Sequence, residues 1–131
     1  MTNSLVDLEG SDTIFIIGSN TATSHPLVAT RILRARENGA KILVADPRKN
    51  QIADLSHLYV RHRPGTDVAL LNGMMKVILD ERLEDTDFIK KKTEAYDAFK
   101  NLIEKVDLDA VSKICGVSVE DIKTLALTYA R

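Results

Sequence analysis

Three stretches of this 131-residue chain combine hydroxyls, carboxylates, cations and glycine in patterns that could hold a phosphorylated, hydroxyl-rich ligand. The first is Gly18-Ser19-Asn20-Thr21-Ala22-Thr23-Ser24-His25. If it opens into a helix, the unpaired N–H groups of that helix start suit a phosphate. It lacks the G-x-G-x-x-G fingerprint, which argues against ordinary NAD binding. The second is Asp46-Pro47-Arg48-Lys49-Asn50. There Asp46 could accept hydrogen bonds from both hydroxyls of a ribose, and Arg48 could neutralise a phosphate. The third is Arg63-Pro64-Gly65-Thr66-Asp67. The Asp67 carboxylate could accept from the two adjacent N–H donors of guanine, which would favour guanine over adenine. Each residue also fits a purely structural role. Ser24 and His25 can cap a helix, Asp46-Pro47 can end a strand, and Asp67 can favour the positive end of a helix. His57 and His62 flank a predicted strand with no third ligand at metal-binding spacing, and read as surface or packing residues. Cys115, beside Gly116 and remote from any His or second Cys, reads as a structural thiol.

The elements that would position these loops follow from the hydrophobic pattern. Thr13-Ile14-Phe15-Ile16-Ile17-Gly18 reads as a strand buried on both faces, as in a parallel sheet. Ser24-His25-Pro26 then supplies a cap and a proline at the first helical position, and Gly39 suits a left-handed helix end, so a helix is predicted over 26–38. Its inward stripe would be Val28, Ile32 and Ala35. Lys41-Ile42-Leu43-Val44-Ala45-Asp46 is a second buried strand, completing a β-α-β unit for which a right-handed crossover is expected. A short helix or loop over 51–58 leads to a third strand near 58–61. The rest reads as helical. A long segment over 67–82 carries apolar residues around much of its circumference, capped by Thr66 or Asp67. Shorter helices follow over 86–92, 95–106, 108–114 and 119–130, the last opened by Ser118 with Asp121 at its third position. Lys90-Lys91-Lys92 reads as a solvated face. In such folds ligands sit beyond the carboxyl ends of the strands, where all three loops fall.

Composition narrows the function classes. With 44% hydrophobic and 28% charged residues the chain reads as one soluble globular domain over 1–131. Its 18 basic and 19 acidic side chains leave a net charge of -1, with no basic field to draw nucleic acid or a membrane. A slight positive excess over 1–66, 8 basic against 6 acidic side chains, makes the first half the better place for an anion. One cysteine can close no intrachain disulfide and hold no iron–sulfur cluster, which points to a cytoplasmic location. No apolar run is long enough to span a membrane, and Met1-Thr2-Asn3-Ser4 has none of the character of an export signal. No internal repeat or linker is evident.

Taken in order, Ile17-Gly18-Ser19-Asn20 with Ser24-His25-Pro26, Gly39-Ala40-Lys41 through Asp46-Pro47-Arg48, and Pro64-Gly65-Thr66-Asp67-Val68-Ala69-Leu70-Leu71-Asn72 form a connected pattern. It resembles the catalytic alpha subunits of molybdenum or tungsten formate dehydrogenases, members of the bis-molybdopterin guanine dinucleotide oxidoreductases, the dimethyl sulfoxide reductase family. The tail from Gly116-Val117-Ser118 through Tyr129-Ala130 continues the likeness, so it covers nearly the whole chain. The Asp46-Pro47-Arg48 version favours formate dehydrogenases over sister enzymes such as nitrate reductases. The resemblance implies a Rossmann-like, doubly wound α/β fold with a mainly parallel sheet, helices on both faces and a helical C-terminal part. It further implies that Gly18, Ser19, Asn20, Thr21, Ser24 and His25 line the diphosphate and nucleoside of a molybdopterin guanine dinucleotide. By the same likeness Asp46, Pro47, Arg48 and Asn50 approach its ribose and guanine side, and Gly65, Thr66 and Asp67 grip the guanine.

The family's [4Fe-4S] cysteine cluster, its metal-ligating Cys or selenocysteine and its C-terminal cofactor domain have no counterpart here. The chain therefore resembles a segment of a larger subunit that oxidises formate to carbon dioxide, and by itself should be inactive, with no catalytic residue. Its expected partners are the remaining domains and the electron-transfer subunits of that parent, or a second copy shielding apolar surface. A free-standing nucleotide-binding or regulatory module is the alternative.

Overall fold

The computed structural model describes residues 4–131. Met1–Asn3, part of the stretch read above as unlike an export signal, lie outside the described residues. The chain divides into two compact units, one ending at His62 and the other beginning at Arg63.

The first unit is built on a three-stranded parallel sheet in the order β1-β2-β3. Its strands are β1 (Thr13–Ile17), β2 (Lys41–Ala45) and β3 (Leu58–Val60). Ile14 pairs with Ile42 and Ile17 with Ala45, while Leu43 pairs with Leu58. The central strand β2 buries four consecutive side chains, Ile42 to Ala45, as expected of a parallel strand covered on both faces. β1 departs from that expectation. It alternates, with Ile14 and Ile16 buried and Thr13, Phe15 and Ile17 half-buried, because it lies at a sheet edge with a single neighbour.

Helix α2 (Pro26–Glu37) connects β1 to β2, with Pro26 in its first turn. It buries Ala29, Ile32 and Ala35, while Val28 of the predicted stripe is only partly covered. Gly39 follows with φ of 102°, in the region that favours glycine. Two four-residue helices sit in the loops, α1 (Thr21–Ser24) and α3 (Gln51–Asp54). Before β1, a 3-10 turn over Leu5–Gly10 is held to α2 by Glu9, whose carboxylate receives Arg31 and Arg34 and whose main-chain oxygen receives the Asn38 amide.

The second unit is helical: α4 (Asp67–Asp80), α5 (Thr86–Lys92), α6 (Tyr96–Ile103), α7 (Leu108–Cys115) and α8 (Val119–Ala130). Its core joins Leu70, Met74 and Val77 of α4 to Val111 of α7 and Ile122, Leu125 and Ala126 of α8. Gly73 makes this packing close. A Cβ there would meet Val111 Cγ1 at 2.9 Å and Ile122 Cγ2 at 3.3 Å. α8 is capped as its sequence indicates, with Ser118 Oγ accepting from the Asp121 N–H at 3.0 Å. The burial of α4 is less complete than its composition suggests. Val68 is exposed, and Met75, Ile78 and Leu79 face a cavity.

The architecture is thus mixed α/β with a small parallel sheet and many helices. Among the described residues the strand order has no reversal, whereas a doubly wound sheet requires one.

Candidate functional site

In the first unit the loops after β1 and β2 lie at the carboxyl ends of adjacent strands. Gly18 leaves β1 with φ of 59° while its N–H still donates to the Ala45 oxygen at 2.9 Å, so the chain turns sharply at the sheet's end. Ser19 Oγ and Thr21 Oγ1 share a hydrogen bond of 2.9 Å, and Ser24 Oγ donates back to the Asn20 oxygen. These hydroxyls shape α1 from within. His25 stands at the N-cap of α2, but its side chain makes no capping bond. Exposed His25 instead contributes its main-chain oxygen, which accepts from the Ala29 N–H at 3.0 Å, and among the described residues no side chain caps the start of α2.

The loop after β2 is fixed from several directions. Asp46 is buried, and its Oδ1 accepts from the Arg48 N–H at 2.8 Å. Tyr59 OH donates to the Asp46 main-chain oxygen at 2.9 Å, and Arg61 Nε donates to the Pro47 oxygen at 2.9 Å. Asn50 Oδ1 caps α3 by accepting from the Ile52 and Ala53 N–H groups, both at 3.1 Å. Its Nδ2 crosses to the other loop and donates to the Ser19 oxygen at 3.2 Å. Asn50 is thereby committed to holding the loops together. Asp46 Oδ2 has no protein donor among the described residues, and exposed Arg48 has no acidic partner there. A carboxylate oxygen and an exposed guanidinium are thus the polar groups of this loop without a protein partner among the described residues.

The second unit carries the Gly65–Asp67 turn. Gly65 has φ of 78° with open space where a Cβ would point, so glycine is required there by the backbone. Thr66 takes the N-cap position of α4, yet its hydroxyl donates to the Arg63 oxygen at 2.6 Å and caps nothing. Asp67 begins α4, where its charge suits the helix's positive end. Arg63 sets the turn. Its N–H donates to the Cys115 oxygen at 2.8 Å, and its guanidinium donates to the Lys113 oxygen at 2.6 Å and the Ile114 oxygen at 3.3 Å. These are the last carbonyls of α7, where a cation is favoured. Cys115 itself is fully buried. His57 is exposed, and its Nδ1 accepts the Ile42 N–H at 3.0 Å, while His62 is buried. Among the described residues no group of three or more His, Cys, Asp or Glu side chains could hold a metal ion. None of their helices is long and apolar enough to cross a membrane.

Comparison with known proteins decides the family. The model of the molybdopterin oxidoreductases matches residues 1–122. The chain belongs to that family. It is similar to the F420-dependent formate dehydrogenase subunit alpha of Methanocaldococcus jannaschii, 50% identical over 129 residues, which is 98% of this chain and 19% of the relative. It is also similar to formate dehydrogenase H of Escherichia coli, 37% identical across 100% of this chain and 18% of the relative. Among solved structures, acetylene hydratase from Pelobacter acetylenicus shares its fold, with a TM-score of 0.82 and 29% identity over 89% of this chain and 16% of that one. The chain thus spans about a fifth of the curated relatives it matches. Membership of this oxidoreductase family implies a molybdopterin cofactor for the protein that carries the segment.

Two positioning residues, Tyr59 and Arg61, escape the motif-based reading, which names Arg63 in the third loop without a role. Tyr59 and Arg61 are two residues apart at and just beyond β3, so their side chains share a direction. Their common tie to the Asp46-Pro47 loop depends on strand order, which hydropathy does not reveal.

Proposed function

We propose that this segment holds the guanosine diphosphate part of a molybdopterin guanine dinucleotide within a formate dehydrogenase-type alpha subunit. The observation that carries the reading is the arrangement in the first unit: Asn50 ties the loop after β2 to Ser19, and Asp46 keeps one carboxylate oxygen for a ligand. Asp46 would accept from the ribose hydroxyls. Arg48, with the N–H groups at the start of α2, would meet the diphosphate. In the second unit, taken by itself, the turn of Gly65 and Thr66 presents Asp67, which would accept from two adjacent guanine donors. The donor set fits a nucleoside diphosphate. When bound, the metal and pterin supply the two-electron redox chemistry, and the protein contributes binding and orientation. The segment alone is inactive in this reading.

The names of the relatives support the finer assignments. Two of them are named as formate dehydrogenases, which supports formate as the parent's substrate, and one is named as an alpha subunit, which supports electron-transfer subunits as partners. A cytoplasmic location, an iron–sulfur cluster bound elsewhere in the parent and a molybdenum or tungsten centre belong to the same proposal. The β1-β2-β3 sheet would become doubly wound by gaining strands from the remaining length of the parent.

The test is a chimera in which this chain replaces the homologous segment of the Methanocaldococcus jannaschii subunit, followed by measurement of the nucleotide released on acid hydrolysis. GMP released at the level of the unaltered subunit is expected. A folded chimera without GMP would overturn the reading. Asp67→Asn should lower the released GMP, since an amide cannot accept from both guanine donors.

A further inference from the structure

The second unit leaves a groove that its own helices do not close. A cavity of about 400 Å³ is walled by Met75, Ile78 and Leu79 of α4, Ile89 of α5 and Phe99 of α6. Glu84 and Tyr96 also line it, and Glu84 Oε2 and the Tyr96 hydroxyl are buried there without a hydrogen-bond partner. The other Glu84 oxygen meets Lys100 Nζ at only 3.6 Å. Burial, and then the Glu84 charge, push the Tyr96 phenol up from its ordinary value. A buried oxygen left without a donor destabilises the fold that contains it, so each such group calls for an occupant that supplies one.

The apolar surface continues past the cavity. Phe99 and Leu102, three residues apart on α6, are 40% and 67% exposed, and α6 fully buries only Ile103. A small molecule filling the cavity would leave Leu102 in water. A polypeptide lying along the groove could cover both side chains and bring main-chain N–H groups to Glu84 and Tyr96. Such polypeptide exists in the relatives, whose length is mostly outside the matched segment.

We propose that the groove between α4, α5 and α6 seats an apolar polypeptide segment from the remaining length of the parent protein, with its N–H groups donating to Glu84 Oε2 and the Tyr96 hydroxyl. This rests on membership of a family of longer proteins and not on the guanine assignment. Loss of GMP with the groove still occupied would sink the nucleotide reading alone.

The test places p-benzoylphenylalanine at Phe99 in the chimeric alpha subunit and maps the photoproduct by mass spectrometry. A crosslink to a peptide outside the 131 residues is expected. A crosslink within the segment, to a second copy or to a non-protein adduct overturns the proposal, as does no crosslink. If the chimera does not fold, overlapping synthetic peptides covering the rest of the Methanocaldococcus jannaschii subunit are titrated against the 131-residue chain. At least one apolar peptide should bind and lose about tenfold or more in affinity with Phe99→Glu. Binding by none of them, or binding indifferent to Phe99→Glu, overturns the proposal.

Discussion

Asn50 joins the loops after β1 and β2 through one side chain: Nδ2 donates to the Ser19 oxygen at 3.2 Å while Oδ1 caps α3. The two ends of the amide can be separated by substitution. Asn50→Asp keeps the cap and loses the donor, setting a carboxylate against a carbonyl oxygen. Asn50→Ala loses both. A cap contributes about 1 kcal/mol and a neutral hydrogen bond about the same. Urea unfolding should therefore place Asn50→Asp about 1 kcal/mol below the parent chain and Asn50→Ala about 2 below it. No loss for Asn50→Asp would show that the bond to Ser19 contributes nothing, and equal losses for the two variants would show the same of the cap.

Gly73 should not tolerate alanine. On an isolated helix the change gains about 1 kcal/mol of propensity. Here the added Cβ would stand 2.9 Å from Val111 Cγ1, inside the packed core of α4, α7 and α8. Overpacking of that kind costs about 1–3 kcal/mol and outweighs the propensity gain. Thermal unfolding of Gly73→Ala should show a lower midpoint, and trimming the obstruction with Val111→Ala in the same chain should narrow the difference. A rise in midpoint for the single variant would mean that α7 yields without cost.

Much of the first unit is legible from local chemistry. The run Ile42 to Ala45 reads as a buried central strand, Pro26 and Gly39 bracket α2, and Asp46 falls just past the end of that strand. β1 is harder, because the apolar Phe15 looks the same in a central strand as in an edge strand that leaves it partly exposed. α1 and α3 are each a single turn, stabilised by Ser24 and Asn50 bonding to nearby main chain, too short to show a period. Gly73 carries no local signal. Its requirement comes from Val111 and Ile122, far along the chain. The Arg63 bonds to Lys113 and Ile114 are equally non-local.

Arg63 should control the Gly65–Asp67 turn through the end of α7. Its guanidinium is exposed, so the stabilisation is modest, about 1 kcal/mol for a cation at a helix C-terminus. Arg63→Met keeps the aliphatic stem and removes the donors to Lys113 and Ile114. Amide hydrogen exchange should speed up at Gly116 and Thr66, whose N–H groups donate to Ser112 and Arg63 oxygens, while β2 amides stay protected. Unchanged exchange at Thr66 would detach the turn from the Arg63 side chain.

Acid should release the N-terminal turn from α2. The Arg31 hydrogen bond, opposed by burial and aided by Arg34, holds the Glu9 carboxyl below the usual carboxylate range. A folded pKa below the unfolded one gives stability that is present above the unfolded value and lost as pH falls through the folded one. The midpoint difference between the parent chain and Glu9→Gln should therefore be greatest near neutral pH and vanish in acid. High salt should shrink it at neutral pH, because the ion pairs are solvent-accessible. A difference that persists in acid would assign the effect to packing.

Asp46 offers the sharpest separation of fold from ligand binding. Its Oδ1 accepts the Arg48 N–H, an interaction that the carbonyl end of an asparagine can keep. The other position changes from acceptor to donor and can no longer accept from a ribose hydroxyl. Asp46→Asn should thus unfold within about 1 kcal/mol of the parent chain. In the chimeric subunit the same substitution should lower guanine nucleotide retention by about tenfold, the effect of losing about 1.4 kcal/mol of binding. Asp46→Ala, which removes the turn's acceptor as well, should lose both stability and nucleotide. If Asp46→Asn retains nucleotide fully while Asp46→Ala does not, Asp46 acts by shaping the Pro47-Arg48 turn, and the ribose must be held by other groups.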